Sequence, residues 1–480
     1  MRGIRGGLAA TGCPARVSRV SSVEPATSSA AGSAHGPETS VVGGALAEAG
    51  LEAAAALADL GSPAVPAGAQ AAVPAEPVGL WQNRDFKIVL FGQGISAFGD
   101  AITFTALPLL VVFLTGSGVA MGTVGVLQTL PDLILGLPAG ALADRWDRRR
   151  MMLWSDVGRA LLTALIPLSY LVGLPTMGVI LLVTAPINAL RVVFLAAYTA
   201  AVPNLAGPGQ VGRANGYSEA IFSLSFIVGP AIAGVLVGII GAGPTLAIDA
   251  LSFLVSASSL SLVRRPLQGQ RTRIQTHIVE QILEGLRYIR GQKTLRTVIA
   301  FWGLVSVIAA PLVPAVIFFL TVDRHLPSGV VGFILSGYGV GYLLGAILAG
   351  RFSRGRLGIF MLGANVGSSL FLALFALAGS EVIQAIAALG AGVTGALVLI
   401  SYITLRATIP PDELLGRVGS TARTISLGLS PIGLFTGGVL LDLIGGARTM
   451  LLISAASLGV TAIFAMSGTM RAAVAGTGRH

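Results

Sequence analysis

The sequence is poor in most of what soluble catalysis requires. Among 480 residues there is one cysteine, Cys13, which excludes an internal disulfide and any cysteine-built metal cluster. The four histidines, His35, His277, His325 and His480, all fall outside the long apolar runs, which excludes a histidine metal site within them. Charged residues make up 11% of the chain, less than half of the roughly 25% usual in a soluble globular protein. Lysine is nearly missing as well: Lys87 and Lys293 are the only two among 31 basic residues.

What is present is apolar surface. Hydrophobic residues account for 54% of the chain and the mean hydropathy is +0.83. From Phe86 onward, apolar runs of 18 or more residues recur, each long enough to cross about 30 Å of hydrocarbon as a helix. The composition therefore predicts an all-α membrane protein that crosses the bilayer many times. A net charge of +10 would point to nucleic acid in a soluble chain, but here the basic residues sit in short loops between apolar runs, where they set orientation. The arginine bias, with 64 glycines and abundant alanine, points to a GC-rich bacterial source. Residues 1–80 are rich in Ala, Gly, Ser and Pro without apolar periodicity and are expected to form a disordered tail, in which only Ala45–Leu60 could turn helical.

Twelve apolar spans can be counted, six within 86–262 and six within 295–470, blocks of 177 and 176 residues. The expected organisation is a six-helix half over 81–262, a linker over 263–294, a second six-helix half over 295–472 and a short tail over 473–480. Local matches support a duplication. Ala143–Arg150 pairs with Ala349–Arg356 at an offset of 206, while Gly212-Arg213 pairs with Gly416-Arg417, and Gly234-Val235-Leu236 with Gly438-Val439-Leu440, at 204. Internal repeats of this kind are how many transporters are built. The linker contains Ile282, Leu283, Leu286 and Ile289 at helical spacing, which predicts an amphipathic helix lying along the membrane surface.

Loop charges orient the chain. Loops 2-3, 4-5, 6-7, 8-9 and 10-11 together carry 19 Lys and Arg, whereas the alternate loops carry only Arg324 and Arg448. The positive-inside rule then puts both termini and the linker in the cytoplasm.

After the second span come Gly140, Leu142, Asp144, Arg145, Arg148 and Arg149. Their spacing resembles the G-x-L-a-D-R-x-G-R-R loop of the major facilitator superfamily, with Asp147 where that pattern has glycine. Within that superfamily the chain is most similar to the branch of enterobactin exporters and macrolide-efflux proteins. Gly92, Ser96, Gly99-Asp100, Asp156-x-x-Arg159 and Gly229-Pro230-Ala231 are among the residues that carry this likeness. The resemblance implies a twelve-helix transporter in two halves that exports a small organic compound, exchanged for protons, from the cell membrane. Uptake or flipping of a lipid-like molecule would use the same architecture, and a non-transporting sensor or scaffold is a third alternative. An enzyme is not expected, nor is a cofactor, a bound metal or a nucleic-acid partner. The expected partners are the substrate, protons and the lipid bilayer, with the chain acting as a monomer.

Two groups of charges could do the work. Asp144, Arg145, Arg148 and Arg149, joined by Asp156 and Arg159 three residues apart on span three, could latch the cytoplasmic side through charge-assisted bonds; the plainer alternative is that the arginines only enforce topology. Charge at mid-span is costly, about 2.5–3.5 kcal/mol at a helix centre, and so marks a pathway or a buried pair. At about 1.5 Å of rise per residue, Asp100, Asp132 and Arg191 all lie roughly 18–20 Å from the cytoplasmic edge. The expectation is that Asp100 takes the coupling proton with Arg191 as its counter-ion, Asp132 being a second acid or a cargo contact. A static Asp–Arg pair locking helices together is the alternative. Asp249 could be a gate residue, a helix-start acid or a proton exit. Gly229, Pro230 and Gly234 in span five resemble the antiporter motif of superfamily exporters, in which proline bends the helix and glycine lets a neighbour approach. Phe301, Trp302, Phe318, Phe319, Tyr338, Tyr342 and Tyr402 are the aromatics expected to supply a greasy cavity wall in the second half, some of them facing lipid instead.

Overall fold

The structure, a computed structural model, describes residues 80–207, 209–268, 278–352, 355–411 and 414–474. The expected tail up to residue 79, Cys13, His277 and the end of the chain from 475 lie outside the described residues.

The described chain is helical almost throughout. Six long helices come first: α1 (Arg84–Thr115), α2 (Gly118–Arg145), α3 (Arg148–Leu171), α4 (Thr176–Ala206), α5 (Val211–Ile240) and α6 (Ala242–Ser261). The linker helix α7 (Ile278–Gly291) leads to α8 (Lys293–Ala309) and α9 (Leu312–Phe318), then α10 (Ser328–Phe352), α11 (Leu357–Leu377) and α12 (Glu381–Thr408). Helices α13 (Leu415–Gly428), α14 (Ser430–Ala465) and the short α15 (Gly468–Arg471) complete it. Polar side chains fix several starts. Asn83 accepts from Phe86 N at 3.2 Å, Ser117 from Ala120 N at 3.3 Å and Asp147 from Arg150 N at 2.9 Å. The aspartate that departs from the family loop pattern at 147 is thus the N-cap of α3, a role carboxylates fill well.

Among the described residues, eleven helical runs are long and apolar enough to cross a membrane. The last of them, Arg417–Ala465, holds 49 residues; at about 1.5 Å per residue that is over twice the thickness of a hydrocarbon core. It is interrupted at Gly445, whose φ of 79° and ψ of 171° are not helical. The next two amide groups, of Gly446 and Ala447, donate to Asp323 Oδ2 at 2.8 and 3.3 Å, as orphan donors at a helix start do. Gly241, between α5 and α6, has nearly the same backbone, φ 88° and ψ 159°, at the repeat offset of 204. Counting the run as two crossings brings the total to the twelve expected from the sequence.

The crossings pack in two groups. Helix α1 packs on α5 and α6, α3 on α4 and α6, and α2 on α4; in the second part α12 packs on α10 and α11, and α14 on α8 and α11. The two groups meet along two seams, α2 with α14 and α5 with α10. Helix α7 docks on α13 through the Glu284–Arg417 ion pair, and Gly285 lies so close that a Cβ there would stand 2.6 Å from Thr421 Oγ1. It is therefore anchored to the start of the eleventh crossing through its Glu284 side.

Candidate functional site: a carboxylate cluster beside an apolar cavity

Close approach of α6 to α1 creates the first element of the site. A Cβ at Gly92 would fall 2.0 Å from Ser259 Oγ, and one at Gly99 2.4 Å from Asp249 Oδ1. Only glycine at these positions lets the serine-rich face of α6 lie against α1. In the space so formed Asp249 is buried, accepting from Thr103 Oγ1 at 2.6 Å and from Ser252 Oγ at 3.1 Å. One turn or two along α6, Ser256 accepts from Gln93 Nε2 at 2.8 Å and donates to Asp156 Oδ2 at 2.5 Å.

Arg159 closes the cluster. Its side chain, 4% exposed, crosses the Phe253 ring with Cζ 3.8 Å from the centroid and reaches Asp100 on α1 at 2.5 Å. Its other terminal nitrogen lies 3.8 Å from Asp156 Oδ1, an ion-pair distance too long for a hydrogen bond. Asp156 Oδ1 and Arg159 Nε consequently have no hydrogen-bond partner, although both are buried. Asp100 of α1 and Asp156 of α3 therefore share one guanidinium, and Asp249 of α6 feels it through space while bonded to Thr103 and Ser252. Asp156 is fully enclosed, whereas 41% of the Asp100 side chain is exposed, which makes Asp100 the mouth of the cluster.

The pairing differs from the expected one. Arg191 is not the counter-ion of Asp100: it bonds Asp132 at 2.6 Å and Asn188 at 3.3 Å. The reason is azimuth. Depth along a helix puts Asp100, Asp132 and Arg191 on one level, but α2 packs on α4 and α1 packs on α6, so the acids find different arginines. Asp156 and Arg159 likewise leave the loop 2-3 network in which they were expected and belong to the interior cluster. Asp249, expected as a gate, helix-start acid or proton exit, belongs to the same cluster.

A cavity of about 310 Å³ begins one turn of α1 beyond Asp100, at Phe104. Phe104, on the same face of α1 as Asp100, lines this cavity with Phe226 and Pro230 of α5, and its ring lies 5.1 Å from that of Phe226. The remaining wall comes from α8 to α12 and α14. Of the aromatics expected there only Tyr338 lines it. Phe301, Phe318 and Phe319 are buried in helix packing, and Trp302 stacks on Tyr402 at 4.9 Å.

Access to the cavity is decided at the seams. On α2, Gly118, Gly122 and Gly125 press on Leu441, Leu434 and Gly438 of α14, and at Gly118 a Cβ would stand 2.3 Å from Leu441 Cβ. The same face continues through Leu133, which touches Gly428, to Gly136 and Gly140, where a Cβ would meet nothing. On α5 the pattern repeats. A Cβ at Gly234 would lie 2.4 Å from Ser328 O, whereas one at the exposed Gly212 would meet nothing within 4 Å. Both seams are thus shut at the end away from the arginine-rich loops and parted at the end that carries them. The antiporter-like motif sits at this junction, Gly229 against Ala101 of α1 and Gly234 against Gly332 of α10. Gly341 and Gly345 meet α12 instead, so that glycine stripe packs α10 within its own group.

Arg148 and Arg149 of the loop 2-3 motif bond within the first group of helices in this conformation. Arg148 donates to the carbonyls of Ala143, Ala200 and Leu267, and Arg149 to those of Leu260 and Ser261. Asp144 is 77% exposed, with Arg148 3.9 Å away. The closed end has a carboxylate latch to which the sequence analysis assigned no role. Asp442 of α14 accepts from Ser117 Oγ at 2.7 Å, from Val119 N at 3.1 Å and from Gly118 N, and so ties the two groups together at the N-terminus of α2.

Comparison with known proteins agrees with this architecture. The family model of the Major Facilitator Superfamily matches residues 89–432. The chain is 30% identical over 396 residues to the multidrug efflux pump Tap of Mycolicibacterium fortuitum, covering 78% of this chain and 94% of that one. It is 26% identical to macrolide efflux protein A of Streptococcus pyogenes, covering 75% and 90%. Among solved structures, the nucleoside transporter NupG superposes with a TM-score of 0.65 at 14% identity over 80% of this chain and 98% of that one. A bacterial homologue of the iron transporter ferroportin, in an inward-facing state, gives 0.64 at 15% identity, covering 80% and 99%. These two likenesses bear on the fold alone.

Proposed function

Because the chain belongs to the Major Facilitator Superfamily, and is therefore a multi-pass membrane transporter and not an enzyme, we propose that it exports a small amphiphilic organic compound across the bacterial cell membrane in exchange for protons. The observation that carries this reading is the cluster of Asp100, Asp156 and Asp249 around Arg159, open at Asp100 beside the apolar cavity. Three carboxylates facing one guanidinium leave negative charge uncompensated unless protons are bound, and ionised groups are expensive at this depth. A proton reaching Asp100 changes the charge of the whole cluster.

Alternation supplies the coupling. The excess of arginine on one face supports a cytoplasmic location for that face, so the parted seams open the cavity to the cytoplasm, where cargo for export is met. A ligand shifts a two-state equilibrium only by binding the states unequally. Cargo entering beside Phe104 and protons entering at Asp100 compete for the same charge balance, which favours exchange over shared passage. Asp442 holds the outer end shut while cargo loads, and the exposed Asp144 is free to serve the inner end when the seams reverse. Efflux by the relatives Tap and macrolide efflux protein A supports the direction. The path lies between helices of one chain, which supports a working monomer.

Everted membrane vesicles test the reading. With an imposed pH gradient, acid inside, vesicles bearing the wild-type protein should accumulate erythromycin or the dye Hoechst 33342 and release it when the gradient is collapsed. Accumulation only in right-side-out vesicles would establish import; transport of neither compound in either orientation, nor of any of a wider panel of amphiphiles, would defeat efflux.

A further inference from the structure

The exposed Asp100 and the Asp132–Arg191 pair are charged, but the wall of the cavity formed by the second group of helices is not. Among the described residues lining it there is no Asp, Glu, Lys, Arg or His. Its polar groups are hydroxyls and one amide, and that amide is held in a fixed orientation. Asn365 of α11 is 3% exposed, and its Nδ2 donates to Ser457 Oγ at 2.9 Å and to Thr461 Oγ1 at 2.7 Å, both on α14. The hydroxyl of Thr461 uses its own proton on the Ser457 carbonyl at 2.8 Å, so towards Asn365 it can only accept. The amide nitrogen must therefore face α14, and Oδ1 is left as an acceptor at a cavity wall that Asn365 itself lines.

The opposite wall carries a second sign of a binding site. The seventh crossing is interrupted between α8 and α9 at Ala310 and Pro311, since proline has no N–H to offer Val307, and residues on both sides of the interruption, from Val305 to Val316, line the cavity. Interrupted helices at mid-membrane are where transporters commonly hold their substrates. A volume of about 310 Å³ is at the small end of the range of roughly 300–1,000 Å³ for small-molecule sites.

We propose that this cavity is a neutral subsite, separate from the carboxylate cluster, that takes an uncharged apolar moiety bearing one hydrogen-bond donor, with Asn365 Oδ1 as the residue that selects for the donor. The inference rests on the transporter reading above and adds to it the chemistry of one end of the cargo. An amphiphile would then be read in two parts: its apolar, donor-bearing end by α8 to α12, and its ionic state by Asp100.

Equilibrium binding tests this apart from export. The probe is N-phenyl-1-naphthylamine, an uncharged dye with a single N–H that brightens in apolar surroundings, compared with its N-methyl analogue, which lacks that donor. The protein is the full chain purified in detergent. Wild type should bind the N–H dye about three- to tenfold more tightly than the analogue, the range expected for one hydrogen bond. Asn365→Leu should abolish that preference. Val313→Phe, which adds side-chain volume at the cavity wall, should weaken both dyes at least tenfold. Failure of wild type to bind either dye, or unchanged binding in Val313→Phe, overturns the subsite; a preference for N–H that survives in Asn365→Leu overturns the role of Asn365. Should Asn365→Leu not fold, Val313→Phe still decides the subsite, and the wild-type preference between the dyes still tests the acceptor. None of these results bears on direction of transport, which the vesicle experiment reads independently.

Discussion

Helices α1 to α6 and helices α8 to α14 share glycine breaks at one offset, Gly241 and Gly445, but are furnished differently. The first group carries Asp100, Asp132, Asp156, Asp249, Arg159 and Arg191 at depth, with Asp156, Asp249 and Arg159 buried. The second keeps its acids at the ends of crossings, Asp323 and Asp442 both accepting from helix N-termini, and surrounds its cavity with aliphatic side chains, hydroxyls and one amide. Since mid-membrane charge costs several kcal/mol per group, its retention in one group alone marks a task the other does not share. On the proposed function the difference is a division of labour, with protons assigned to the first group and the apolar part of the cargo to the second.

The largest effect should come from stripping the charged repeat of its single shared cation. Arg159→Ala leaves Asp100, Asp156 and Asp249 facing one another without compensation, and removal of one partner from a buried pair costs about 3–5 kcal/mol. Thermal unfolding in detergent should show a large loss of stability, and transport should vanish; a stable, active variant would dissolve the contrast between the repeats. Next comes the hinge between them. Gly332→Leu forces side-chain volume into a seam where a Cβ would already lie 2.2 Å from Pro230 O, so the closed end must part. With Cys13 replaced by Ser and a single cysteine introduced at Val331, a membrane-impermeant maleimide added outside should label the Gly332→Leu protein at least tenfold faster than its parent. Asp442→Asn should act in the same direction but weakly, about two- to fivefold in the gate equilibrium, the usual worth of a carboxylate at a helix N-terminus. Asp144→Asn should change the conformation described here least, because that side chain is exposed and weakly paired; spin-label distances across the parted end should match wild type.

Much of this architecture was legible before any coordinates. Hydropathy located the crossings, and the offset of 204 that linked Gly234 to Gly438 also links Gly241 to Gly445, the two breaks that turn the chain. The pairings were not legible, because residue counting along a helix gives height and says nothing of which way a side chain points. Arg159 shows the limit most clearly. It was grouped with the loop charges because Asp156 lies three residues away, yet it stands 11 residues into α3, about 17 Å from the basic face and level with the mid-span acids. Applying the depth rule to it would have exposed the cluster. Gly92 and Gly99 belonged to the family likeness; their physical purpose, making room for Ser259 and Asp249, appears only when α6 is laid against α1. Asn365 lacked any signal, being a lone amide in an apolar run whose partners lie about 90 residues away on α14.

The central claim, that protons act through Asp100 on a cluster it shares with Arg159, is tested most directly by separating exchange from accumulation in reconstituted vesicles. The Asp100→Asn protein, folded and inserted, should still exchange labelled for unlabelled erythromycin or Hoechst 33342, whichever the wild type carries, while losing accumulation driven by a pH gradient. Gradient-driven accumulation by Asp100→Asn at the wild-type level would contradict the account.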